Sequence, residues 1–273
     1  RLKKFYRIFF KKLSVIIFSG LSKFMNLFNL KIIPSFSESK NYNLEYSQKT
    51  RRVILKPNIK KFSKLIIDTS HFNSQLCQIG ASYGTNKSPL NVNGHRSGYT
   101  PYYELLFRHL KNEKINFAEI GIENNASTKM WRKYFSKAKI YGFEYDEKKL
   151  KKAKKHNLRN TFYKKIDVTK EANIKKSFIK NKRKFDIIID DSTHIFEHQI
   201  NVIRNVHPFI KNKGILIIED IYKNLIKYSE QEYFEKLKNL RKFFEEIYFV
   251  EFYNLNNYTA SWKNEKLLVL IKK

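Results

Sequence analysis

The sequence is poor in cysteine, in acid and in long apolar runs. One cysteine, Cys77, stands among 273 residues. An intrachain disulfide is thereby excluded, which suits a reducing compartment, and the plain reading of Cys77 is a small buried hydrophobe. The apolar run Leu13 to Phe18 is far short of the ~20 residues needed to span a bilayer. No internal repeat and no low-complexity tract is present. Asp and Glu number 25 against 55 Lys and Arg, a net charge of +30. That imbalance draws polyanions, whether nucleic acid, anionic glycans or acidic lipid surfaces. Scattered Lys with frequent Asn and Ile is also what an AT-rich genome encodes, with no polyanion involved.

What is present is a core. Hydrophobic residues make up 42% and aromatics 15%, which excludes a disordered chain and allows one large α/β domain with an extension, or two small domains. Residues 1–33 mix Lys3, Lys4, Arg7, Lys11 and Lys12 with Phe5, Ile8, Phe9 and Leu13. This pattern suits a basic amphipathic helix on an anionic membrane surface, or a helix packed on a neighbouring domain or subunit of a homo-oligomer. No small-residue cleavage site marks it as a secretory signal. The sequence begins without Met, as a fragment of a longer protein would. Residues 34–64, with Pro34, Pro57 and a basic run, read as a linker or loose arm. The expected division is an extension over 1–64 and a globular domain over 65–273.

The stretch that organises the rest is Phe185 to Gln199. The apolar run Phe185 to Ile189 ends in Asp190 and Asp191, then Ser192, Thr193 and His194. Short apolar runs closed by polar residues read as buried strands of a parallel sheet. Around it strands alternate with helices: strands at 116–121, 139–145, 161–166, 185–189 and 214–218, helices at 125–135, 147–156, 169–180 and 194–209. Upstream, helices are expected at 74–82 and from Pro101 to Leu110, the second capped by Thr100. Downstream come a helix over 230–244 and two strands, 247–253 and 266–271, joined by a loop. The fold class is α/β, a Rossmann-like doubly wound sheet, mostly parallel with an antiparallel C-terminal edge strand.

In such sheets ligands sit at the carboxyl ends of the strands. Glu119 and Gly121, then Glu144, Asp167, Asp190 with Asp191, and Glu219 with Asp220 all fall there. The plainer reading, that Asp191 or Ser192 caps a helix, explains one acid but not the pairs. Glu144 follows Gly121 by 23 residues, the spacing of an acid that binds a ribose diol. The turn after Gly121 lacks the glycines of a pyrophosphate cradle, which argues against NAD and for a nucleoside cofactor without phosphates.

The order E-I-G at 119–121, G-F-E at 142–144, I-D-D-S-T-H at 189–194 and I-I-E-D at 217–220 resembles class I S-adenosylmethionine-dependent methyltransferases. The likeness is strongest to the metal-dependent sugar O-methyltransferases of macrolide biosynthesis, the mycinamicin and macrocin type. G-T-N-K at 84–87 and Y-T-P-Y-Y-E at 99–104 extend it, so that it covers about residue 75 to the end. The resemblance implies Mg²⁺ on Asp191, Glu219 and Asp220, with His194 as general base and Asp191 beside it in the reaction. It also implies S-adenosyl-L-methionine on Gly84, Thr85, Lys87, Tyr102, Tyr103, Glu119, Gly121, Glu144, Asp167 and Asp190. A carboxylate set without thiolate suits Mg²⁺. Two stretches depart from the family. Asn124, Asn125 and Ala126 stand in a turn usually rich in glycine, and Asn86 replaces the usual Asp of G-T-D-K. Asn tolerates a left-handed backbone, so the turn is expected to form.

His194-Ile-Phe-Glu197-His198 also fits H-x-x-E-H, an inverted zinc-peptidase motif. That motif needs both histidines on one helix, whereas His194 follows a strand end. His198 reads as a helix-face residue and His207 as structural. Tyr99, Tyr102 and Tyr103 read either as packing on the sheet or as a wall of the cofactor pocket, and Trp131 and Trp262 as packing. The expected activity is methylation of a sugar or glycan hydroxyl. RNA 2′-hydroxyl methylation and a non-catalytic module of a cell-envelope protein are the alternatives. No N/D-P-P-Y/F stretch for base amines is present. The expected location is cytoplasmic, with contact to the inner membrane face through the basic helix.

Overall fold

The structure, a computed structural model, describes residues 62–92, 94–180, 183–255 and 264–273, together with the backbone of two strands, β1 (Tyr42–Ser47) and β2 (Arg52–Pro57). The expected basic helix of residues 1–33 and Trp262 lie outside the described residues. Contacts divide the chain into two compact units, Arg1–Asn58 and Ile59–Lys273. In the first, β1 and β2 pair antiparallel, from Tyr42 opposite Pro57 to Ser47 opposite Arg52. Part of the expected linker is therefore a hairpin.

The second unit carries the sheet. β3 (Ser63–Asp68) is followed by α1 (Gln75–Ser82), capped by the Ser74 hydroxyl, and α2 (Tyr99–Phe107). Gly98 rather than Thr100 precedes α2. Thr100 is buried in its first turn with Oγ1 3.2 Å from Cys77 Sγ, and Pro101 still falls where the missing N–H costs nothing. Then come β4 (Asn116–Ile120), α3 (Ala126–Tyr134), β5 (Lys139–Glu144), α4 (Glu147–Lys155), β6 (Thr161–Lys165), α5 (Glu171–Ile179) and β7 (Phe185–Asp190). The chain closes with α6 (Phe196–Val206), β8 (Ile210–Ile218), α7 (Glu230–Leu237), β9 (Phe244–Tyr253) and β10 (Lys266–Lys272).

The eight strands lie in the order β3-β9-β10-β8-β7-β4-β5-β6. β10 alone runs against the rest, antiparallel to β8 on one side and β9 on the other. The C-terminal antiparallel strand is thus as expected in direction but does not form the edge. β9 and β3, which pair parallel, lie beyond it. Chain connections leave β4 toward β5 and β7 toward β8, so the switch point of the winding falls between β4 and β7. That is where an open α/β sheet binds its ligand.

Both faces are covered, which is why the inner strands read as continuous apolar runs. On β7, Ile187 and Ile189 pack with Trp131, Phe117 and Tyr103, while Ile188 packs on the opposite face with Phe143, Phe178 and Val202. All three isoleucines are fully buried, each contributing roughly 1.5–3 kcal/mol. This rigid centre delivers Asp190 and Asp191 to the carboxyl edge.

Candidate active site

Gly121, just after β4, has φ +86°, and a Cβ there would stand 2.1 Å from the Asp191 carbonyl oxygen. Only glycine lets the ends of β4 and β7 meet this closely. The turn continues with Glu123 at φ 40° and Asn125 at φ 70°, so the asparagine adopts the left-handed backbone expected of it. The Asn125 N–H donates to Ile122 O at 2.6 Å, and α3 starts at the next residue. Glu144 closes the turn from β5. Its Oε2 accepts from the N–H groups of Ile122 (3.3 Å) and Glu123 (3.1 Å), and its Oε1 from those of Tyr145 (2.8 Å) and Asp146 (3.0 Å). The acid expected to bind a ribose also holds two loops together.

A cavity of about 740 Å³ opens over this turn and reaches from Glu144 to Asp191, His194 and Asp220. That is in the size range of small-molecule sites. A second cavity of about 230 Å³ lies beyond, lined by Tyr99, Tyr222, Glu219 and Glu265 among others. Asn86, His95, His194 and Asp220 border both cavities. Two compartments therefore meet at two histidines, one asparagine and one carboxylate.

His194 is not on the helix; α6 begins at Phe196, and His194 has φ 58°. Its left-handed backbone is held by Tyr228, whose hydroxyl donates to His194 O (3.1 Å) and accepts from the Phe196 N–H (3.2 Å). The zinc-peptidase reading falls with this geometry: His198 sits on α6 with Nδ1 2.9 Å from Thr193 Oγ1. His194 Nε2 lies 3.5 Å from Asp220 Oδ2 and 4.0 Å from Asp191 Oδ1. Donor atoms of these three residues fall within 4.8 Å of one another, a spacing one metal ion can bridge.

The remaining carboxylate oxygens face inward. Tyr99 OH donates to Asp220 Oδ1 at 2.6 Å, and Tyr103 OH to Glu219 Oε1 at 2.6 Å. Lys87 Nζ is 2.5 Å from Asp191 Oδ2 and contacts Glu219 Oε2. Lys87 is thus no cavity-lining residue; its ammonium is 1% exposed and lies among acids. Glu219 has both oxygens committed to protein partners, so the open oxygens come from Asp191 and Asp220. Burial pushes the Lys87 ammonium down, but Asp191, Glu219 and Glu119 outweigh it and hold it well above the ordinary lysine value. Burial raises Glu219 and Asp220, and repulsion from Asp191 adds to both. One ammonium does not neutralise three carboxylates, and this excess of buried negative charge favours a cation.

Other expected site residues are placed as follows. Gly84 and Thr85 line the large cavity. Glu119 lies behind it, fully buried, accepting from Thr128 Oγ1 (2.8 Å) and Trp131 Nε1 (3.1 Å); burial raises its pKa. It ties β4 to α3 from behind the cavity. Asp190 accepts from Ser192 Oγ (2.7 Å), and burial pushes its carboxyl up to about 7. Asp167 caps Thr169, while its neighbours Ile166 and Val168 line the cavity. Tyr102 turns to Tyr248 OH, 2.9 Å away, outside both cavities. Sequence reasoning left out the grip of Tyr99 on Asp220, and Tyr222 and Asn86 as wall residues. A tyrosine at a helix start next to a glycine gives no signal of which acid it will meet 121 residues later.

A family model described as a methyltransferase domain matches residues 123–267, just over half the chain. Among curated proteins, the chain is 31% identical over 132 residues to 8-demethyl-8-(2-methoxy-alpha-L-rhamnosyl)-tetracenomycin-C 3'-O-methyltransferase of Streptomyces olivaceus, covering 45% of this chain and 32% of that one. It is 27% identical over 131 residues to demethylmacrocin O-methyltransferase of Streptomyces fradiae, with 45% and 32% covered. Mycinamicin VI 2''-O-methyltransferase of Micromonospora griseorubida is 24% identical over 155 residues, with 54% and 36% covered. The chain spans about a third of the length of these relatives. Among solved structures, MycE methyltransferase from the mycinamycin biosynthetic pathway, in complex with Mg, SAH and mycinamycin VI, superposes with a TM-score of 0.54 at 17% identity. That match covers 73% of this chain and 55% of MycE, and it bears on the fold. The sheet order, the carboxyl-edge cavity and the family match agree: the chain belongs to the methyltransferase-domain family.

Proposed function

We propose that the chain is an S-adenosylmethionine-dependent O-methyltransferase acting on a hydroxyl of a sugar or glycan, with a divalent cation at Asp191 and Asp220. The observation that carries this reading is the position of His194, which borders both cavities with Nε2 facing two carboxylates. The curated relatives named above, all three O-methyltransferases by name and the first with a rhamnosyl group in its substrate's name, support the reaction type.

The residues fit both groups. Gly121 lines the large cavity where the ends of β4 and β7 meet, and that cavity runs from the Glu144 turn to His194. His194 Nδ1 is buried without a hydrogen-bond partner, an orphan that a ligand would satisfy. S-adenosylmethionine, when bound there, supplies an electrophilic methyl group. Asp191 Oδ1 and Asp220 Oδ2 are hard oxygen donors in a site with surplus negative charge, which suits Mg²⁺. Such a cation supplies Lewis-acid polarisation of an acceptor hydroxyl and so lowers its pKa.

The chain's own groups then do the following. Tyr99, Tyr103 and Lys87 fix the inward carboxylate oxygens and so aim the outward ones. The small polar cavity admits the acceptor hydroxyl, with the Tyr222 ring as one wall. His194, with its backbone clamped by Tyr228, takes the hydroxyl proton as general base. Ile166 and Val168 give the large cavity an apolar wall.

The test is calorimetric titration with S-adenosylmethionine, followed by transfer of labelled methyl to a panel of glycosides, glycolipids and RNA, with Mg²⁺ or with EDTA. Cofactor binding and glycoside labelling lost in EDTA are expected. Labelling of RNA alone, or full labelling in EDTA, would reject the acceptor class or the cation respectively.

A further inference from the structure

At the amino ends of the central strands, opposite the candidate active site, lies a second concave region of about 740 Å³. It is roughly 15 Å away along the five residues of β4. Lys114, Lys137, Lys139, Arg159 and Arg183 line it, and its other lining residues carry no charge. These cations come from the stretches that lead into β4, β5, β6 and β7. None of the five forms an ion pair among the described residues. The crowding is felt nearby: Arg132 is lowered by burial first, and then by repulsion from Arg159.

Composition alone does not account for this. Sixteen of the chain's 55 Lys and Arg fall between residues 147 and 184, with 3 of its 25 acids. Arg159 and Arg183, which line the basin, belong to this strongly basic stretch. Like charges gathered in a concavity repel unless an anion joins them.

We propose that this basin binds a compact polyphosphate anion, a group with two or more adjacent phosphates, presented by a soluble molecule or by a lipid headgroup. A carboxylate would leave most of the five cations uncompensated, whereas two or more adjacent phosphates place several negative charges in one compact group. The two guanidinium forks offer paired donors that match phosphate oxygens. No aromatic ring lines the basin, and single-stranded nucleic acid sites rely on such rings for stacking. The inference stands apart from the methyl-transfer reading.

The experiment titrates the full chain with inorganic tripolyphosphate by calorimetry. In parallel it sediments the chain with phosphatidylcholine vesicles, with and without a prenyl diphosphate. Wild type binds tripolyphosphate, and Arg159→Ala/Arg183→Ala weakens this about tenfold or more. Lys151→Ala/Lys154→Ala removes equal charge from α4, outside the basin, and leaves binding nearly unchanged. Sedimentation only with prenyl diphosphate, reversed by tripolyphosphate, assigns the lipid source; binding without sedimentation assigns the soluble one. Should the arginine variant melt early, Lys114→Ala/Lys137→Ala serves in its place. The proposal is overturned if neither probe binds, or if the two double variants weaken binding equally.

Discussion

Lys87 Nζ lies 2.5 Å from Asp191 Oδ2 and contacts Glu219 with the same nitrogen, across 104 and 132 residues of chain. Replacing it with an apolar residue leaves buried Glu219 and half-buried Asp191 without their counter-charge. Lys87→Met is expected to destabilise the protein by about 3–5 kcal/mol in urea denaturation at neutral pH. Lys87→Met/Glu219→Leu is expected to recover part of that loss, since an apolar pair avoids the stranded charge. Equal stability of wild type and the single variant would show that the pair is not formed.

Gly121 and Gly84 separate strain from collision. Both have positive φ, +86° and +67°, but a Cβ at Gly84 meets nothing within 4 Å. Gly84→Ala should cost about 1–2 kcal/mol, the penalty of a left-handed backbone alone. Gly121→Ala should cost about 3 kcal/mol or more and abolish cofactor binding, because the methyl meets the Asp191 backbone. Urea denaturation and calorimetry read both quantities.

Tyr99 aims Asp220, whereas Tyr102 donates to or accepts from Tyr248 away from the cavities. A hydrogen bond to a charged group is worth about 1.5–3 kcal/mol, so Tyr99→Phe should slow turnover roughly tenfold to a hundredfold with cofactor affinity kept. Tyr102→Phe should leave turnover unchanged. Steady-state kinetics with separate kcat and KM, beside cofactor calorimetry, make the comparison.

The β-α alternation was legible because inner parallel strands are buried on both faces and read as apolar runs closed by acids. That alone placed Gly121, Glu144, Asp191 and Asp220 at one edge. The insertion of β10 between β8 and β9 was not legible, since pairing order depends on contacts distant in sequence. The hairpin of β1 and β2 was hidden in a stretch whose polarity resembles a linker. A lysine after Gly84-Thr85-Asn86 carries no mark of the acids it will meet, and in sequence it resembles a cofactor contact. His194 resembles a helix start in sequence, but its left-handed turn depends on Tyr228, 34 residues later.

His207 gives the fold an acid sensitivity. It stacks on Phe243 at 4.9 Å with Nδ1 buried and unpartnered, and burial, then Lys272, lowers it to about 4. The unfolded chain binds the proton at about 6.5. The unfolded state therefore takes up more protons between these values, and stability is present above pH 6.5 and falls as pH drops toward 4. His207→Phe, which keeps the stack, should flatten this part of a melting-temperature profile. A profile as steep as wild type would place the sensitivity elsewhere.

The most direct measurement is single-turnover methyl transfer by wild type and His194→Ala with one glycoside acceptor and saturating S-adenosylmethionine. Loss of the base should slow transfer about 10²–10⁴-fold, with the cofactor's Kd unchanged. Wild-type transfer rates in His194→Ala would contradict the assignment of His194 as the base at the junction of the two cavities.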